Sequence, residues 1–406
     1  MHWVLIKTFL IASSLITNTF LAFFIWQIKQ DIQLVLIYGL IYFLVAPIAA
    51  LIGGILTDKI SPKFSLVLGT WMQIAQIVLL LINKTLDTNE IMIIAAIGGL
   101  GYGLITTPTY VLDYIERDRK DEASIFYANR TFITRILQLI IPLTAAFLVS
   151  QSNGFNLLFR ATAIIILMAS VLIFLFKNEY VKNKFELANI LKFPGTNADK
   201  FTLVKGVFFE GLSEGFNFTV FPIIILIFVG NILNWAILNT SLVLVAITIT
   251  YLVKRYVNDV NSKLIYSVAA FLFAFASLFL ISGINFYIIM IFLLAKTFME
   301  LVKEISYFSA VDNIIDEDRR EYELYAEYQF LVELATSIGR IIPIVALLLI
   351  NVNIENPFTI VLILLVIGFI PMTTLSFLSK SAIFSPTYKE ENTIGTIRAE
   401  NTPKLS

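Results

Sequence analysis

Four charged residues interrupt two long apolar stretches of the sequence. Glu210 and Glu214 are four residues apart in one stretch, and Lys296 and Glu300 are four apart in the other. If these stretches are membrane-spanning helices, each pair shares one helix face, and each charge at a helix centre costs roughly 2.5–3.5 kcal/mol. A buried carboxylate near a lysine can exchange its partner for a proton or a charged solute. The pattern predicts a cluster for solute binding and proton coupling, with a purely structural set of salt bridges as the alternative.

Two arginines lie in an earlier apolar stretch of the chain. Arg130 and Arg135 carry the planar guanidinium group that binds carboxylates or phosphates through two hydrogen bonds. They either hold an anionic solute or pair with Asp113 or with carboxylates of the second half, where Glu333 aligns with Arg135. Uncharged polar residues that could line the same cavity are Asn18, Tyr102, Thr106, Tyr110 and Asn217. The two tyrosines and the threonine follow one another at intervals of four and form a hydroxyl stripe, which packing would explain equally well.

Several functional classes find no support in the residues of this chain. It has no cysteine and a single histidine, His2, so it offers no thiolate nucleophile, disulfide framework or cysteine-based metal site. It contains no metal-ligand spacing and no glycine motif that cradles phosphate. The formal net charge of zero gives no general attraction to nucleic acid. We therefore predict a protein that is not an enzyme and that holds no metal or cofactor.

The composition indicates which elements position these residues. The chain has 406 residues, of which 58% are hydrophobic and 14% are charged, and its mean hydropathy is +0.85. Soluble domains are about 25% charged, whereas repeated apolar runs of about 20 residues are typical of membrane helices. A backbone in lipid must satisfy its own hydrogen bonds, which favours helices. The sequence predicts an all-α membrane protein with twelve transmembrane helices, at 3–26, 33–57, 64–83, 90–114, 123–150, 156–176, 202–229, 234–253, 264–282, 285–312, 322–350 and 357–378.

Lysine and arginine are distributed unevenly over the predicted loops. With the N-terminus inside, the loops on the outer side contain only Lys29 and Lys84, and the other loops and the tail carry most of the positive charge. This asymmetry predicts a multi-pass protein of the plasma membrane with both termini in the cytoplasm. We expect a first six-helix bundle at 1–176, a lysine-rich cytoplasmic linker at 177–200, a second six-helix bundle at 201–378 and a cytoplasmic tail at 379–406.

The two halves of the chain resemble each other at an offset of about 200 residues. The segment from Val4 to Lys7 corresponds to the segment from Thr202 to Lys205, and both open a predicted span. The segment from Phe126 to Phe132 corresponds to the segment from Leu324 to Phe330, at the start of spans five and eleven. The shared order and spacing predict a duplicated six-helix unit. In such a protein the solute path runs between the two halves, near the middle of the membrane.

The segment between the second and third spans reads Gly54-Ile-Leu-Thr-Asp-Lys-Ile-Ser-Pro-Lys. With the twelve spans and the duplication, it makes the chain resemble the major facilitator superfamily. The family pattern at this point is a glycine, three residues, an aspartate, a basic residue, any residue, a glycine and two basic residues. The matching positions are Gly54, Asp58, Lys59 and Lys63, whereas Ser61 and Pro62 depart from the pattern. The resemblance implies that the matching residues form a conformational latch, and that spans one, four, seven and ten line the cavity; a solvated loop is the alternative for Asp58.

These observations together predict a secondary active transporter. It would move a small solute across the lipid bilayer by alternating access, coupled to protons, and would act as a monomer without nucleic-acid partners. The fifth span lacks the glycine-rich motif that many drug–proton antiporters of the superfamily carry, which disfavours that assignment. A flippase for lipids or amphiphiles, a drug exporter on the same fold, and a membrane partner that transports nothing are the alternatives.

Overall fold

The computed structural model describes residues 2–83, 86–118, 123–177, 185–186, 198–254, 262–303 and 325–378. Apart from loops and turns, every element in these ranges is a helix. The helices are α1 (His2–Lys29), α2 (Ile32–Lys59), α3 (Pro62–Ile82), α4 (Thr88–Asp118), α5 (Ala123–Val149), α6 (Gly154–Leu175), α7a (Ala198–Phe218), α7b (Val220–Val229), α8 (Ile232–Lys254), α9 (Ser262–Leu278), α10 (286–303), α11 (Tyr325–Leu349) and α12 (Pro357–Leu378). A 3-10 turn, Phe279–Ser282, follows α9.

Ten helical spans within the described residues are long and apolar enough to cross a membrane. Helices α7a and α7b form one of these spans, Phe201–Val229, with a break at Thr219. The other two predicted spans, α5 and α10, are less clearly apolar over the length that a membrane requires. The described apolar part of α5 is Ile133–Val149, and α10 carries three charged residues. The structure agrees with the predicted all-α membrane fold and, to a good approximation, with its twelve spans.

A tight turn joins α2 to α3 at the position where the sequence departs from the family pattern. The hydroxyl of Ser61 accepts a hydrogen bond from the backbone N–H of Phe64, 3.3 Å away, and Pro62 is the first residue of α3. Serine at the N-cap followed by proline at the first helical position is a strong helix start, because it satisfies an otherwise free N–H and presets the backbone angle. The two unusual residues therefore begin α3 two residues earlier than the predicted boundary at 64.

Helices α1–α6 and α7a–α12 form two bundles whose internal packing depends on small residues. On α4, a Cβ atom at Gly103 would lie 2.2 Å from the carbonyl oxygen of Ala46 on α2. On α11, a Cβ atom at Gly339 would lie 2.2 Å from the carbonyl oxygen of Phe208 on α7a. Only glycine permits such close approach of two helix backbones. Each bundle thus has one helix pair held together across a glycine.

The bundles meet along two seams, one between α2 and α11 and one between α5 and α8. The internal repeat matches α2 with α8 and α5 with α11, so the two seams are the same contact made twice. This is the arrangement expected from a duplicated unit related by a two-fold axis along the membrane normal. Of the predicted linker at 177–200, only 177, 185–186 and 198–200 are described, and the predicted tail at 379–406 lies outside the described residues.

Aromatic contacts join the bundles in the half of the molecule away from the start of α1. The ring of Trp235 on α8 packs against Phe23 of α1, with ring centroids 4.9 Å apart. The ring of Phe218 at the end of α7a packs against Phe43 and Tyr42 of α2, at 4.7 and 5.3 Å. The Trp235–Phe23 and Phe218–Phe43 pairs are edge-to-face, and such pairs add roughly 0.5–1.5 kcal/mol each beyond their buried area. They bring the two bundles together on that side of the molecule.

Candidate functional site

A cavity of about 280 Å³ lies between the two bundles. Its wall is formed by α1 and α5 from the first bundle and by α7, α8 and α10 from the second. The polar lining residues are Thr19, Arg135, Gln138, Asn217, Asn239, Lys296, Thr297 and Glu300. Aromatic rings of Phe20, Phe221 and Trp235 complete the wall. An enclosed site with aromatic walls and a few convergent polar groups is the usual form of a small-molecule site.

Lys296 and Glu300 form an ion pair on the cavity face of α10. Their spacing of four residues brings the two side chains together on one helix face, as the sequence predicts. The ammonium of Lys296 also lies 4.6 Å from the centroid of the Phe221 ring, a cation–π contact. The Lys296 side chain is only 12% exposed, whereas that of Glu300 is 47% exposed. The carboxylate is therefore the more accessible member of the pair.

Arg135 faces this pair from α5 of the other bundle. Its guanidinium donates a hydrogen bond to the side-chain oxygen of Gln138, 2.9 Å away and one helical turn further along. Its positive charge also acts on the carboxylate of Glu300. Of the two predicted arginines, Arg135 thus reaches the cavity, whereas the side chain of Arg130 lies outside the described part of the structure.

Glu210 lies behind the cavity wall and pairs with Lys303 of α10. The ammonium of Lys303 also interacts electrostatically with Glu300 and Glu214. Lys303 therefore connects the cavity pair to the two carboxylates of α7a. The four residues predicted as one cluster form instead a chain of charges, in which Lys296 and Glu300 line the cavity and Glu210 and Glu214 do not.

Arg340 of α11 connects the other end of this chain of charges, as Lys303 connects the end nearer the cavity; we call Arg340 and its partners the hub. Its guanidinium donates from Nε to Glu214, at 2.7 Å, and from Nη1 to Glu333, also at 2.7 Å. Its Cζ atom lies 5.0 Å from the centroid of the Phe43 ring, which belongs to α2 of the first bundle. The hydroxyl of Tyr102 on α4 lies 3.5 Å from Glu333. The hub therefore joins two helices of the second bundle and contacts two helices of the first.

The sequence includes a signal for this hub that the predicted cluster does not use. Arg340 lies seven residues after Glu333, which is two helical turns and hence the same helix face. A carboxylate and an arginine at this spacing inside an apolar stretch indicate a buried pair. The partner on the neighbouring helix, Glu214, depends on the rotation of α7a and has no comparable signal in one sequence.

The uncharged residues predicted to line the cavity separate into two groups. Asn217 does line the cavity; its amide nitrogen lies 3.3 Å from the Ser213 hydroxyl, and its side-chain oxygen is buried without a hydrogen-bond partner among the described residues. Tyr102 joins the Glu333 network instead. Thr106 and Asn18 bond within their own helices, to the Tyr102 carbonyl at 2.8 Å and to the Ser14 hydroxyl at 3.1 Å. Tyr110 is half-buried on α4 and is absent from the residues that line the cavity.

The predicted latch residues occupy the α2–α3 turn. Lys63 donates hydrogen bonds to the carbonyl oxygens of Phe174 and Phe176, at 2.6 and 3.0 Å, at the end of α6. A lysine in this position satisfies free carbonyls of the helix end and complements its dipole. The carboxylate oxygens of Asp58 are buried without a hydrogen-bond partner among the described residues, and Lys59 is exposed. Lys63 therefore acts within the first bundle, and the latch role of the turn stays a prediction.

Two linker residues reach the α2–α11 seam beside this turn. The ring of Phe185 covers Gly54, where a Cβ atom would lie 2.8 Å from the ring. The backbone N–H of Glu186 donates a 2.9 Å hydrogen bond to the carboxylate of Glu327 on α11. The linker thus touches one helix of each bundle at the point where they meet. The absence of a side chain at Gly54 makes room for the aromatic ring.

A separate charged pair lies inside the first bundle. Asp113 of α4 pairs with Lys7 of α1 and accepts a 2.9 Å hydrogen bond from the indole N–H of Trp3. The Asp113 residue is 3% exposed and Lys7 is 8% exposed. Among the described residues, no three histidine, aspartate or glutamate side chains converge in a way that could hold a metal ion.

The described helices, in two bundles around a charged central cavity, define a multi-pass membrane protein of the class that includes solute transporters. The chain belongs to the Major Facilitator Superfamily, whose sequence profile matches residues 8–321. It is 23% identical over 358 residues to the uncharacterised protein YqgE of Bacillus subtilis strain 168, a match that covers 87% of this chain and 83% of YqgE.

Solved transporter structures share this fold. The nucleoside transporter NupG matches 93% of this chain and 98% of its own, with a TM-score of 0.67 and 14% identity. A D-xylose–proton symporter matches 92% and 95%, with a TM-score of 0.64 and 14% identity. A peptide transporter, POT, matches 93% and 94%, with a TM-score of 0.66 and 11% identity. At such low identity the likeness concerns the fold alone.

Proposed function

We propose that this protein is a secondary active transporter that carries a small solute through the central cavity, coupled to protons. Family membership and the fold of its structural neighbours support a secondary transporter. The observation that carries the proposal is the cavity itself, whose wall combines Arg135 of one bundle with Lys296 and Glu300 of the other. Charges are tolerated at this depth when water and solute reach them.

Alternating access follows from the way the bundles meet. Two equivalent seams join the bundles, of which the α5–α8 seam borders the cavity, and each bundle is braced internally by glycine-mediated helix contacts. Rocking of one bundle against the other about these seams would expose the cavity first to one side and then to the other. A solute that contacts both walls would favour the conformation in which the walls are closest.

Proton coupling is supported by the charge count of the second bundle. Along the described chain of α7a, α10 and α11 there are four carboxylates, Glu210, Glu214, Glu300 and Glu333, and three cations, Lys296, Lys303 and Arg340. One carboxylate is therefore in excess within this network. A buried carboxylate without a full counter-charge binds a proton more readily than an exposed one.

The cellular arrangement belongs to the same proposal. The protein would lie in the plasma membrane with both termini in the cytoplasm. Its bundles would comprise 1–176 and 201–378, joined by the linker at 177–200 and followed by the tail at 379–406. It would act as a monomer on a small-molecule solute, and the family points to a transporter rather than an enzyme.

Counterflow in proteoliposomes tests this function. Purified protein is reconstituted with one unlabelled candidate inside, and uptake of the same labelled compound is followed with and without an inward proton gradient. The panel includes uridine, D-xylose and a dipeptide, together with small carboxylates, amides and amines. We expect counterflow of at least one compound and its accumulation when the gradient is applied. Absence of counterflow for every chemical class would overturn the proposal, and lipid scrambling in the same vesicles would favour the flippase alternative.

Two substitutions test the coupling of transport to protons. Glu210→Gln and Glu214→Gln each remove a carboxylate that lies behind the cavity wall. Both variants should retain counterflow but should lose most of the accumulation driven by the gradient. Accumulation that stays complete and pH-dependent in both variants would remove these two residues from the coupling role.

A further inference from the structure

The charges in the cavity wall do not cancel. Arg135 and Lys296 contribute two positive charges, and Glu300 contributes the one negative charge among the described lining residues. In the structure Glu300 is paired with Lys296 and is also influenced by the charge of Arg135. The wall therefore has a net charge of +1, which favours an anion over a neutral or cationic solute.

The two cations lie on opposite bundles. Arg135 projects from α5 of the first bundle, and Lys296 projects from α10 of the second. A carboxylate is the ligand that a guanidinium binds with two hydrogen bonds, and a lysine can bind the same group as a point charge. One carboxylate held between them would link the bundles across the cavity.

The other residues of the cavity wall indicate which further chemical groups such a solute would carry. The side-chain oxygen of Asn217 is buried without a hydrogen-bond partner among the described residues, and it would accept a hydrogen bond from a hydroxyl or N–H group. Phe20, Phe221 and Trp235 offer an apolar surface for a hydrocarbon or aromatic body. A cavity of about 280 Å³ lies just below the usual range for small-molecule sites, roughly 300–1,000 Å³.

We propose that the transported solute is a small organic monoanion, which binds through its carboxylate between Arg135 and Lys296 and crosses together with one proton. This inference rests on the proposed transport function and specifies its substrate class. A hydroxy acid, or an aromatic acid with a hydrogen-bond donor, combines the required groups.

The proton follows from the charge balance of the whole network. With Arg135 the network has four carboxylates and four cations, so the charges of these eight residues sum to zero. A bound anion withdraws Arg135 and Lys296 from Glu300 and leaves one negative charge in excess. The Glu300 carboxylate restores neutrality by taking a proton from hydronium in the aqueous phase: one O–H bond of hydronium breaks, water is released, and the carboxyl O–H bond forms. The groups that act on this carboxylate are Lys296, Lys303 and Arg135, while Tyr266 and Tyr102 act on the neighbouring carboxylates Glu210 and Glu333.

Pairs of acids and amides of the same shape test the charge requirement. The thermal midpoint of the purified protein is measured with benzoate and benzamide, lactate and lactamide, and mandelate and mandelamide, with phenethylamine as the cation. At least one acid should raise the midpoint, because a ligand that binds the folded state stabilises it. Its amide should do so only at a concentration about ten- to a hundredfold higher, the factor expected when a charged hydrogen bond is lost.

Arg135→Gln should weaken binding of the stabilising acid by a similar factor, and Arg135→Lys should restore part of it. Arg160→Gln removes an exposed arginine of α6 and is the matched control, which should bind normally. If Arg135→Gln proves unstable, Arg135→Lys together with Lys296→Gln takes its place. An acid that binds equally well to all variants would place its site elsewhere and would overturn the proposal.

Transport of the acid then tests the proton. Uptake into vesicles that contain a pH-sensitive dye should acidify the lumen with about one proton for each anion. Glu300→Gln should move no proton with the anion, so any counterflow that this variant retains should leave the luminal dye unchanged. Counterflow of an amide or an amine without that of any acid would leave the transport function standing and would overturn the monoanion. Counterflow of no compound in any charge class would overturn both proposals.

Discussion

The two bundles share one architecture but differ in their charges. In the first bundle, the interior pair Lys7–Asp113 is buried between α1 and α4, and Arg135 reaches the cavity. In the second bundle, a chain of seven charges extends from Lys296 at the cavity to Glu333 beside the first bundle. The repeat alignment places Arg135 and Glu333 at equivalent positions with opposite charge. The two bundles therefore share their helix packing but differ in the charged side chains that they carry.

The first span of each bundle shows the same divergence. Helix α1 is continuous from His2 to Lys29, whereas its counterpart is broken at Thr219 into α7a and α7b. The Thr219 hydroxyl bonds to the carbonyl oxygen of Gly215, 2.7 Å away, close to the break. Broken helices near the middle of the membrane are typical of transporter binding sites. The second bundle therefore combines the charges with the irregular backbone, and the first provides a more regular wall.

Arg340→Met provides the strongest test of this difference. The substitution leaves Glu214 and Glu333 without their shared cation, and breaking a buried ion pair in this way costs about 3–5 kcal/mol. Unfolding by detergent titration measures the loss. The exposed Arg160 supplies the control, since Arg160→Met should change stability by less than about 0.5 kcal/mol. A loss below about 1 kcal/mol for Arg340→Met would show that the hub contributes little to the fold.

The glycine contacts should be equally sensitive in the two bundles. A methyl group at Gly339 or at Gly103 would collide with a carbonyl oxygen only 2.2 Å away, on the facing helix. Overpacking against a backbone atom costs about 3 kcal/mol at the upper end of the usual range. Gly339→Ala and Gly103→Ala should therefore lose similar amounts of stability in the same titration. A large loss in only one variant would mean that one bundle can separate its helices and the other cannot.

The sequence predicts the parts of this molecule that depend on local pattern. Apolar runs predict the spans, and the spacing of Lys296 and Glu300 predicts an ion pair that needs only one helix. The contacts of Glu210 with Lys303 and of Glu214 with Arg340 cannot be predicted in this way. They depend on the rotation of α7a, α10 and α11 about their axes and on the relative shift of these helices along them. Helix rotation is a property of the packed bundle, and a single sequence does not contain it.

The family motif shows the same limit in another form. Lys63 matches the pattern, which predicts a latch residue but not its partner; in the structure its ammonium bonds to the end of α6, more than 100 residues further along the chain. Ser61 and Pro62 depart from the pattern because they start α3. A motif thus predicted where the turn lies, whereas the partner of each side chain became visible only from the packing.

Lys7→Met would distinguish a structural pair from a coupling pair. The change leaves Asp113 with the indole of Trp3 and should cost about 3 kcal/mol, because a buried carboxylate loses its cation and keeps one hydrogen bond. It should not alter the proton-driven accumulation of a transported solute, since α1 and α4 hold this pair away from the cavity. Loss of accumulation with counterflow intact would assign a coupling role to the first bundle and would remove the contrast between the two.

The smallest expected effect concerns the linker, which touches both bundles. Phe185→Ala removes the ring that covers Gly54, at a cost in stability of less than about 1 kcal/mol, as expected for a partly exposed side chain. The hydrogen bond from Glu186 to Glu327 involves the backbone and remains possible, so the variant isolates the aromatic contact. If this contact holds the α2–α11 seam closed, its loss should make an engineered cysteine at Leu51, one turn before Gly54 on α2, react faster with a thiol reagent. The absence of native cysteines makes that signal specific. An unchanged labelling rate in the Phe185→Ala background would show that the linker connects the bundles without restraining them.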